Sequence, residues 1–442
     1  MSDTTTVLIV GGGFAGVACA QELAKQDVEV ILLDRNNYHQ FQPMLYQVAT
    51  AQLAAYDIAR PLRPIFRQNT CVEVRHTGVT SIDADARSVT TELGSVITGD
   101  YLVLAPGAQA NFFGTPGAAE HSLPLYSVND AVRLRSRILE VLDATIERPE
   151  LIEKGSVNFV IVGGGPTGVE TAGALAEALR DVVPEHYKPL TARAQVHLVD
   201  HGKVLLAPFS DKAHAYAAKK LEEDGVTLHL GVGVKEVFPD RVMLTDGDTI
   251  LTHTVVWGGG EKPVEVVTAA GLPEGHGGRI DVEPDLTVAN YPQVYVLGDA
   301  ANIAGADGQI LPQLGSVAQQ SGAWAARNIL DEMAGKQRKP FHYKDKGIMA
   351  MIGRNAAVAE MGAHRHEVDG PVAFAAWLGV HAMLLSGVRN KLDAFMAWGW
   401  DYFSKNRATA MVDAADVGRI DWGDDDEGEQ PQFDPAPVQT RV

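Results

Sequence analysis

Two stretches of this chain each read as a strand, a tight glycine turn and a helix, and few folds accommodate that pattern twice. The first is TVLIVGGGFAGVACAQELA, Thr6 to Ala24, and the second is VNFVIVGGGPTGVETAG, Val157 to Gly173. Val7 to Val10 and Phe159 to Val162 are β-branched or apolar runs of the kind that form buried parallel strands. Glycines follow at GxGxxG spacing: Gly11, Gly13 and Gly16, then Gly163, Gly165 and Gly168. The first allows the tight turn, the second lets a pyrophosphate approach the backbone, and the third lets the helix pack closely on the strand. The helix then opens at Phe14 and Ala15, or at Pro166 and Thr167, with free N–H groups turned to a phosphate. Each unit also ends on an acid suited to a ribose hydroxyl. VEVILLD closes at Asp34, and AQVHLVD closes at Asp200 after a longer helix and a loop around Pro184 to Pro189. A lone GxGxxG is weak, but two complete units roughly 150 residues apart, about one domain's length, make coincidence remote. The fold class expected is α/β with two Rossmann-like dinucleotide-binding domains.

Composition narrows the surroundings. The chain has 442 residues, 46% of them hydrophobic, enough for two or three domains with sizeable cores. A formal charge of −19 argues against nucleic acid, since too little basic surface exists to neutralise phosphates. The N-terminus enters a strand within a few residues, which leaves no room for a signal peptide. No apolar run approaches the roughly 18–20 residues that cross a bilayer, so a cytoplasmic setting is expected. Two cysteines, Cys19 and Cys71, read as small buried residues, and no CxxC is present to relay electrons through a disulfide. Disulfide reductases and sulfide:quinone reductases, which need reactive cysteine pairs, are thereby excluded. No metal ligand set is assigned.

A third signal completes the first unit. YPQVYVLGDAANI, Tyr291 to Ile303, is a strand ending at Gly298 and Asp299. DYLVLAPGA, Asp100 to Ala108, and TVVWGGG, Thr254 to Gly260, read as strand ends where the chain crosses between domains. Paired dinucleotide folds with a late GDAA resemble the flavoprotein pyridine-nucleotide reductases. That resemblance implies FAD at the first turn, with Arg35, Gln42, Ala105, Gly107, Gly298 and Asp299 beside it, and NADH at the second, with Gly259 beside it.

More specific blocks resemble the type II NADH:quinone oxidoreductases. They are HQFQPMLYQVAT (His39 to Thr50), the link from Ala110 into the second unit, YKDKGIMAMIGRNAAVAEMG (Tyr343 to Gly362), and AAWLGVHAMLLSGVRNKLDAFMAWGWDYF (Ala375 to Phe403). The resemblance runs from about Thr6 to Val412, and its last two blocks are the most specific. It implies transfer of two electrons from NADH through FAD to a membrane quinone, menaquinone or ubiquinone, without proton pumping. It further implies that Glu170 lines the NADH pocket and assists proton handling; the residue type alone fits a carboxylate stabilising a helix N-terminus equally well. The family's AQxxxQ helix lines the quinone channel. Here Ala318 and Gln319 match while Ala323 holds the second Gln position. Gln320 is adjacent but projects about 100° away on a helix. Gln319 and Gln320 are the quinone candidates, and the quinone's identity stays open.

The C-terminal block also has a reading of its own. Phe374, Trp377, Leu378, His381, Leu384 and Leu385 recur at helical spacing, followed by Leu392, Phe395, Met396 and Trp400. Arg389, Lys391, Lys405 and Arg407 flank them, which suits helices lying in the headgroup plane of the cytoplasmic membrane face. A homodimer interface or core helices are the alternatives, and His381 reads as a hydrogen-bonded structural histidine. The expected layout is a flavin domain over 1–109 and 285–335, a nicotinamide domain over 110–284, a docking region over 336–412 and an acidic disordered tail over 413–442. Two further functions fit the same nucleotide units. One is a soluble NAD(P)H reductase serving a small iron–sulfur protein or oxygen, and the other is a redox-sensing flavoprotein.

Overall fold

The computed structural model describes residues 4–404 except 27, 182 and 363, together with 407, 409–412 and 420–422. In the first unit, β1 (Thr6–Val10) and β2 (Glu29–Asp34) are joined by α1 (Phe14–Leu23) and lie parallel, Val7 opposite Val30. A short helix, α2 (Leu45–Ala49), precedes β3 (Val72–His76) and β4 (Tyr101–Leu104). The chain leaves through β5 (Ala108–Ala110) and a long helix, α3 (Val128–Glu147). Ser127 starts α3 as an N-cap: its hydroxyl accepts from the N–H of Asp130, whose carboxylate accepts from the N–H of Ser127.

The second unit repeats the first. β6 (Asn158–Val162), α4 (Pro166–Asp181), β7 (Gln195–Asp200), β8 (Val226–Leu230) and β9 (Thr254–Trp257) form it. The return strand β10 (Glu261–Pro263) pairs antiparallel with β5, Ala110 opposite Glu261. β11 (Tyr291–Val296) and α5 (Gly315–Met333) then complete the first unit. Its sheet runs Thr287–Val288, β11, β4, β1, β2, β3, and the second runs Leu123–Pro124, β9, β6, β7, β8. In both, the apolar runs are buried on each face, as strands covered by helices require.

Two boundaries differ from expectation. Val264, Val267, Leu272 and Ile280 pack in the core of the first unit, so the return comes at β10 rather than near Asp285. Phe41, Met44, Leu45 and Leu53 pack instead with α3, α4 and the C-terminal region. A linear sequence assigns such a segment by neighbourhood, whereas packing assigns it by which apolar face it meets.

The C-terminal region is an antiparallel meander, β12 (Gly347–Gly353), β13 (Ala356–Met361) and β14 (His366–Asp369), followed by α6 (Gly370–Leu384) and α7 (Val388–Ser404). It sits directly on α4. A Cβ at Gly173 would collide with the carbonyl oxygen of Ile352, so glycine permits the contact. α6 buries Ala373, Trp377 and Ala382 and exposes Val372, Met383 and Leu384. α7 exposes Leu392, Phe395, Met396, Trp400 and Phe403, the last at 86%. A periodicity analysis treats one face as the core stripe; these helices are apolar on both. Among the described residues no helix is long and apolar enough to cross a membrane.

Candidate functional site

The two glycine turns are built alike, contact for contact. A Cβ on Gly11 would strike the carbonyl of Ala105, and one on Gly163 would strike the carbonyl of Gly258. Both glycines hold positive φ, +105° and +114°. Gly16 presses on the carbonyl of Gly11, and Gly168 presses on that of Gly163. Gly13 and Gly165 have nothing within 4 Å of an added Cβ, which leaves backbone open to an incoming phosphate. The middle glycine N–H of each turn binds the distal acid: Gly12 to Asp34 at 2.6 Å, and Gly164 to Asp200.

Around the first turn, Asp34 also accepts from the N–H of Asn36 at 2.6 Å. Burial pushes its carboxyl above the usual range, and the Gly12 and Asn36 N–H groups offset part of that. Arg35 is exposed and Gln42 is half-buried in the turn before α2. Phe14 stands edge-on to His39 and Phe41, and His39 Nδ1 donates to the carbonyl of Gly12. Ala15 lies against Gly298 and Gly322, where a Cβ on Gly322 would meet the Ala15 carbonyl. This closes α1 on α5. Ala105 is buried at the end of β4, and Gly107 follows with φ +77° and open space. The residues thus form an empty-sided cradle with a ribose acid at one end, which fits FAD.

Around the second turn, Asp200 accepts from Gly164 and Gly202, and His201 and Lys203 stand exposed nearby. Pro166 and Thr167 open α4, and Gly259 lies over the indole of Trp257. The set fits NADH in the same way.

Asp299, named from the sequence, has a charged neighbour that sequence reasoning missed, Glu261. Asp299 begins the turn after β11, and Glu261 sits on β10. Burial raises both carboxyls; the Asp299 charge raises Glu261 further, while Arg279 lowers both. Glu261 reads in sequence as an ordinary surface acid, and only the β5–β10 pairing brings it inward.

Glu170 lies buried within its helix, not at the helix N-terminus. It is the fifth residue of α4, past the first turn, and faces the C-terminal region. Its Oε1 accepts from the N–H of Met351 at 3.1 Å. The Trp377 indole N–H, which completes no hydrogen bond of its own, faces the same carboxyl. Burial pushes Glu170 up to about 8, and the Met351 and Trp377 donors offset part of the effect. Trp377 is fully buried and stacks on His381 at 3.8 Å. His381 donates from Nδ1 to the Trp377 carbonyl and is pushed down to about 4 by burial, so it is a neutral structural histidine as its sequence suggested.

The two glutamines separate. Gln319 is exposed on α5, next to Ala318, which packs on Gly298. Gln320 is committed elsewhere, since its amide donates to the Lys344 carbonyl and accepts from the Lys344 N–H. These contacts tie α5 to the segment leading to β12.

Arg407 also differs from expectation. It is 6% exposed and pairs with Asp401 at 3.1 Å and Glu177 at 3.5 Å instead of facing lipid. Lys405 and most of the acidic tail lie outside the described residues. Trp422, within that tail, packs on His253 under Arg148, and its carbonyl accepts from Lys154. Cys19 is buried and its thiol is pushed up to about 12 by burial; Cys71 is half-buried.

Two matched dinucleotide cradles, with an acid pair at their junction and a third region packed on the second, define a flavin- and nicotinamide-dependent oxidoreductase. The model of the family described as pyridine nucleotide-disulphide oxidoreductase matches residues 5–322. The chain is 34% identical over 423 residues to the type II NADH:quinone oxidoreductase Ndh of Mycobacterium tuberculosis, covering 92% of this chain and 90% of that protein. It is 29% identical to the internal alternative NAD(P)H-ubiquinone oxidoreductase A1 of Arabidopsis thaliana mitochondria, over 94% and 85%. The fold resembles NDH2 of Plasmodium falciparum in complex with NADH, with TM-score 0.83 at 16% identity over 90% and 98% of the chains. The chain belongs to the type II NADH:quinone oxidoreductases, within the pyridine nucleotide-disulphide oxidoreductase family.

Proposed function

We propose that this protein takes two electrons from NADH through FAD to a membrane quinone, and that its own residues divide that task three ways. The observation that carries this reading is the pair of equivalent cradles, one for a resident carrier and one for its donor. Bound FAD supplies the acceptance of hydride and its release as two electrons. The Gly11–Gly16 turn, Asp34 and Asp299 hold that cofactor. The Gly163–Gly168 turn and Asp200 orient NADH against it, and the Asp200 carboxylate disfavours the extra 2′-phosphate of NADPH. Glu170, neutral below about pH 8, holds a proton on the side of α4 that faces the C-terminal helices. We assign it as the proton donor to the quinone, with Gln319 beside the quinone entrance.

The exposed apolar faces of α6 and α7 dock the enzyme on the cytoplasmic face of the membrane. A contiguous patch of this kind is otherwise unfavourable in water, and burying each large side chain contributes about 1.5–3 kcal/mol. A second copy covering that face is the alternative, distinguished by whether liposomes or protein concentration governs its burial. The test of function is a flavin spectrum of the purified protein and an anaerobic NADH titration, followed by a menaquinone or ubiquinone analogue. Bleaching by NADH and recovery on adding quinone are expected. Bleaching without recovery by either quinone would refute the acceptor.

A further inference from the structure

Phe113 combines an exposed ring, a strained backbone and a seat on the second nucleotide cradle. Its side chain is 65% exposed, its φ is +52°, and its ring rests on Gly260. The turn explains the backbone. Phe113 and Gly114 both have positive φ, and the Thr115 N–H donates to the Phe112 carbonyl at 2.9 Å, the pattern of a type I′ turn. Its first central position favours Asn, Asp or Gly, and a bulky residue there is an outlier. Among the described residues, Phe113 is the one aromatic with positive φ.

The surrounding link is fixed by other groups. The Asn111 side-chain oxygen accepts from the Phe113 N–H at 2.9 Å. The Asn111 N–H donates to the Gly260 carbonyl at 3.0 Å, and its carbonyl accepts from the Trp257 indole N–H at 2.8 Å. Phe112 packs 5.5 Å from the Trp257 ring. Phe112 thus supplies the apolar packing of this link, and Phe113 is left facing outward. Strain of this kind persists where the surrounding contacts over-determine it, and it concentrates at ligand clamps.

The position of the ring indicates the ligand. Gly258 faces the start of α4: a Cβ there would lie 3.6 Å from the Gly168 nitrogen and 3.6 Å from Thr167 Cγ2. Gly260 follows two residues on and carries the Phe113 ring. The ring's Cζ and Cε2 lie 2.8 and 3.1 Å from where a Cβ of Gly260 would stand, so a side chain there would push the ring away. Within the sheet, β9 and β7 flank β6 on opposite sides. Asp200 ends β7 and suits the adenosine ribose. A dinucleotide lying across the Gly163–Gly168 turn therefore brings its nicotinamide end over β9 and Gly260. One face of the nicotinamide has to meet the flavin. The other needs a cover that holds the ring in place and keeps water off it.

We propose that Phe113 is that cover, its ring stacking on the nicotinamide face turned away from the flavin. The proposal rests on the second cradle as the NADH site. Only the edge of the ring touches Gly260, and its exposure leaves a face open to a ligand. Such a face suits a dihydronicotinamide and also the cationic ring of the product. The adenosine half lies at Asp200, beyond β6, so the affinity that Phe113 adds belongs to the nicotinamide alone.

The test separates the two halves of the nucleotide. Phe113→Asn installs a residue that the turn favours and removes the ring, whereas Phe113→Tyr keeps the ring. Oxidised, flavin-loaded enzyme is titrated calorimetrically with NAD⁺ and with ADP-ribose, which lacks the nicotinamide. Wild type is expected to bind NAD⁺ more tightly than ADP-ribose. Phe113→Asn weakens NAD⁺ by about threefold to tenfold, the range of an aromatic contact, and leaves ADP-ribose unchanged. Phe113→Tyr matches wild type. In turnover, kcat/KM for NADH falls by the same factor with quinone and with ferricyanide, since both acceptors share the donor site. The Tm of Phe113→Asn stays level or rises, because the turn loses strain and little buried surface goes with the ring. Equal weakening of NAD⁺ and ADP-ribose, no weakening of either, or a marked fall in Tm overturns the proposal and leaves the ring a packing element. If wild type binds neither ligand, the NADH cradle itself fails. If it binds both and only the Phe113→Asn contrast is missing, the cradle stands and the cover alone is removed.

Discussion

The carboxylate of Glu170 is bound by the backbone N–H of Met351, 181 residues further along the chain. This contact joins the helix that follows the second glycine turn to the region that carries the exposed apolar helices. It fixes a proton-bearing group on the far side of α4 from the nucleotide phosphates.

The first prediction concerns that group. With its pKa raised to about 8, Glu170 is protonated in the folded protein at neutral pH. Quinone reduction is expected to hold level up to about pH 8 and fall above it, while dye reduction stays flat. Glu170→Gln abolishes the alkaline fall and lowers turnover by roughly 10²-fold, the lower end of a lost general acid. The folded carboxyl binds its proton more tightly than the unfolded one, so wild-type stability declines as pH rises from the ordinary carboxylate range toward 8. The Tm of Glu170→Gln is expected to decline less over that interval, measured by scanning calorimetry in matched buffers.

A second prediction concerns flavin retention. Asp299→Ala leaves the strand core of β11 intact and removes an acid at the cofactor end of the cleft. The purified variant is expected to fold, by circular dichroism, and to lose FAD. Full flavin content after gel filtration would show that Asp299 does not hold the cofactor.

Nicotinamide choice is the third. Asp200→Ala should raise KM for NADH by roughly 10- to 150-fold, matching about 1.5–3 kcal/mol for a hydrogen bond to a charged acceptor. Part of that loss comes from the Gly164 and Gly202 N–H groups, which lose the same acceptor. The NADH to NADPH preference narrows in parallel. A wild-type enzyme already faster with NADPH contradicts the role given to Asp200.

The fourth tests docking without cutting the chain. Deleting the C-terminal region would expose fully buried Trp377 and the Glu170 carboxyl, so point changes are cleaner. Met396→Asp with Phe403→Asp alters two side chains that are 73% and 86% exposed. Losing their burial in lipid, at about 1.5–3 kcal/mol each, weakens liposome partition by roughly two orders of magnitude or more. Ferricyanide reduction should persist and long-tailed quinone reduction should collapse. Unaltered sedimentation with liposomes refutes docking through α7.

What was legible in the sequence is what depends on near neighbours. Gly11, Gly13 and Gly16 act within one turn, and Asp34 follows them by a single strand, so spacing alone reveals both cradles. Glu170 was legible as a residue and not as a position, because its partner lies in a meander almost two hundred residues away. Gln320 and Arg407 have partners that the sequence did not show, for a related reason. A polar side chain looks free until its tertiary partner is known, and here those partners are the Lys344 backbone and the Glu177–Asp401 carboxylates. The apolar α6 and α7 were visible as helices, but periodicity does not separate an inward apolar face from an outward one.

Residues 41–58 belong to one nucleotide unit by chain order and to the other by packing, which limits how the enzyme can be recombined. Gln40 clamps the backbone of Tyr126 and Val128, Trp398 donates to Gln47, and Asn390 donates to the carbonyls of Tyr56 and Asp57. A chimera that exchanges the middle domain of this protein for a relative's, joined at β5 and β10, would keep this segment from the wrong parent. Its new domain would meet a mismatched surface on the side that faces α6 and α7. Grafts that carry residues 40–60 and the C-terminal helices along with the middle domain keep the native seams, so the transferable module is discontinuous in three pieces.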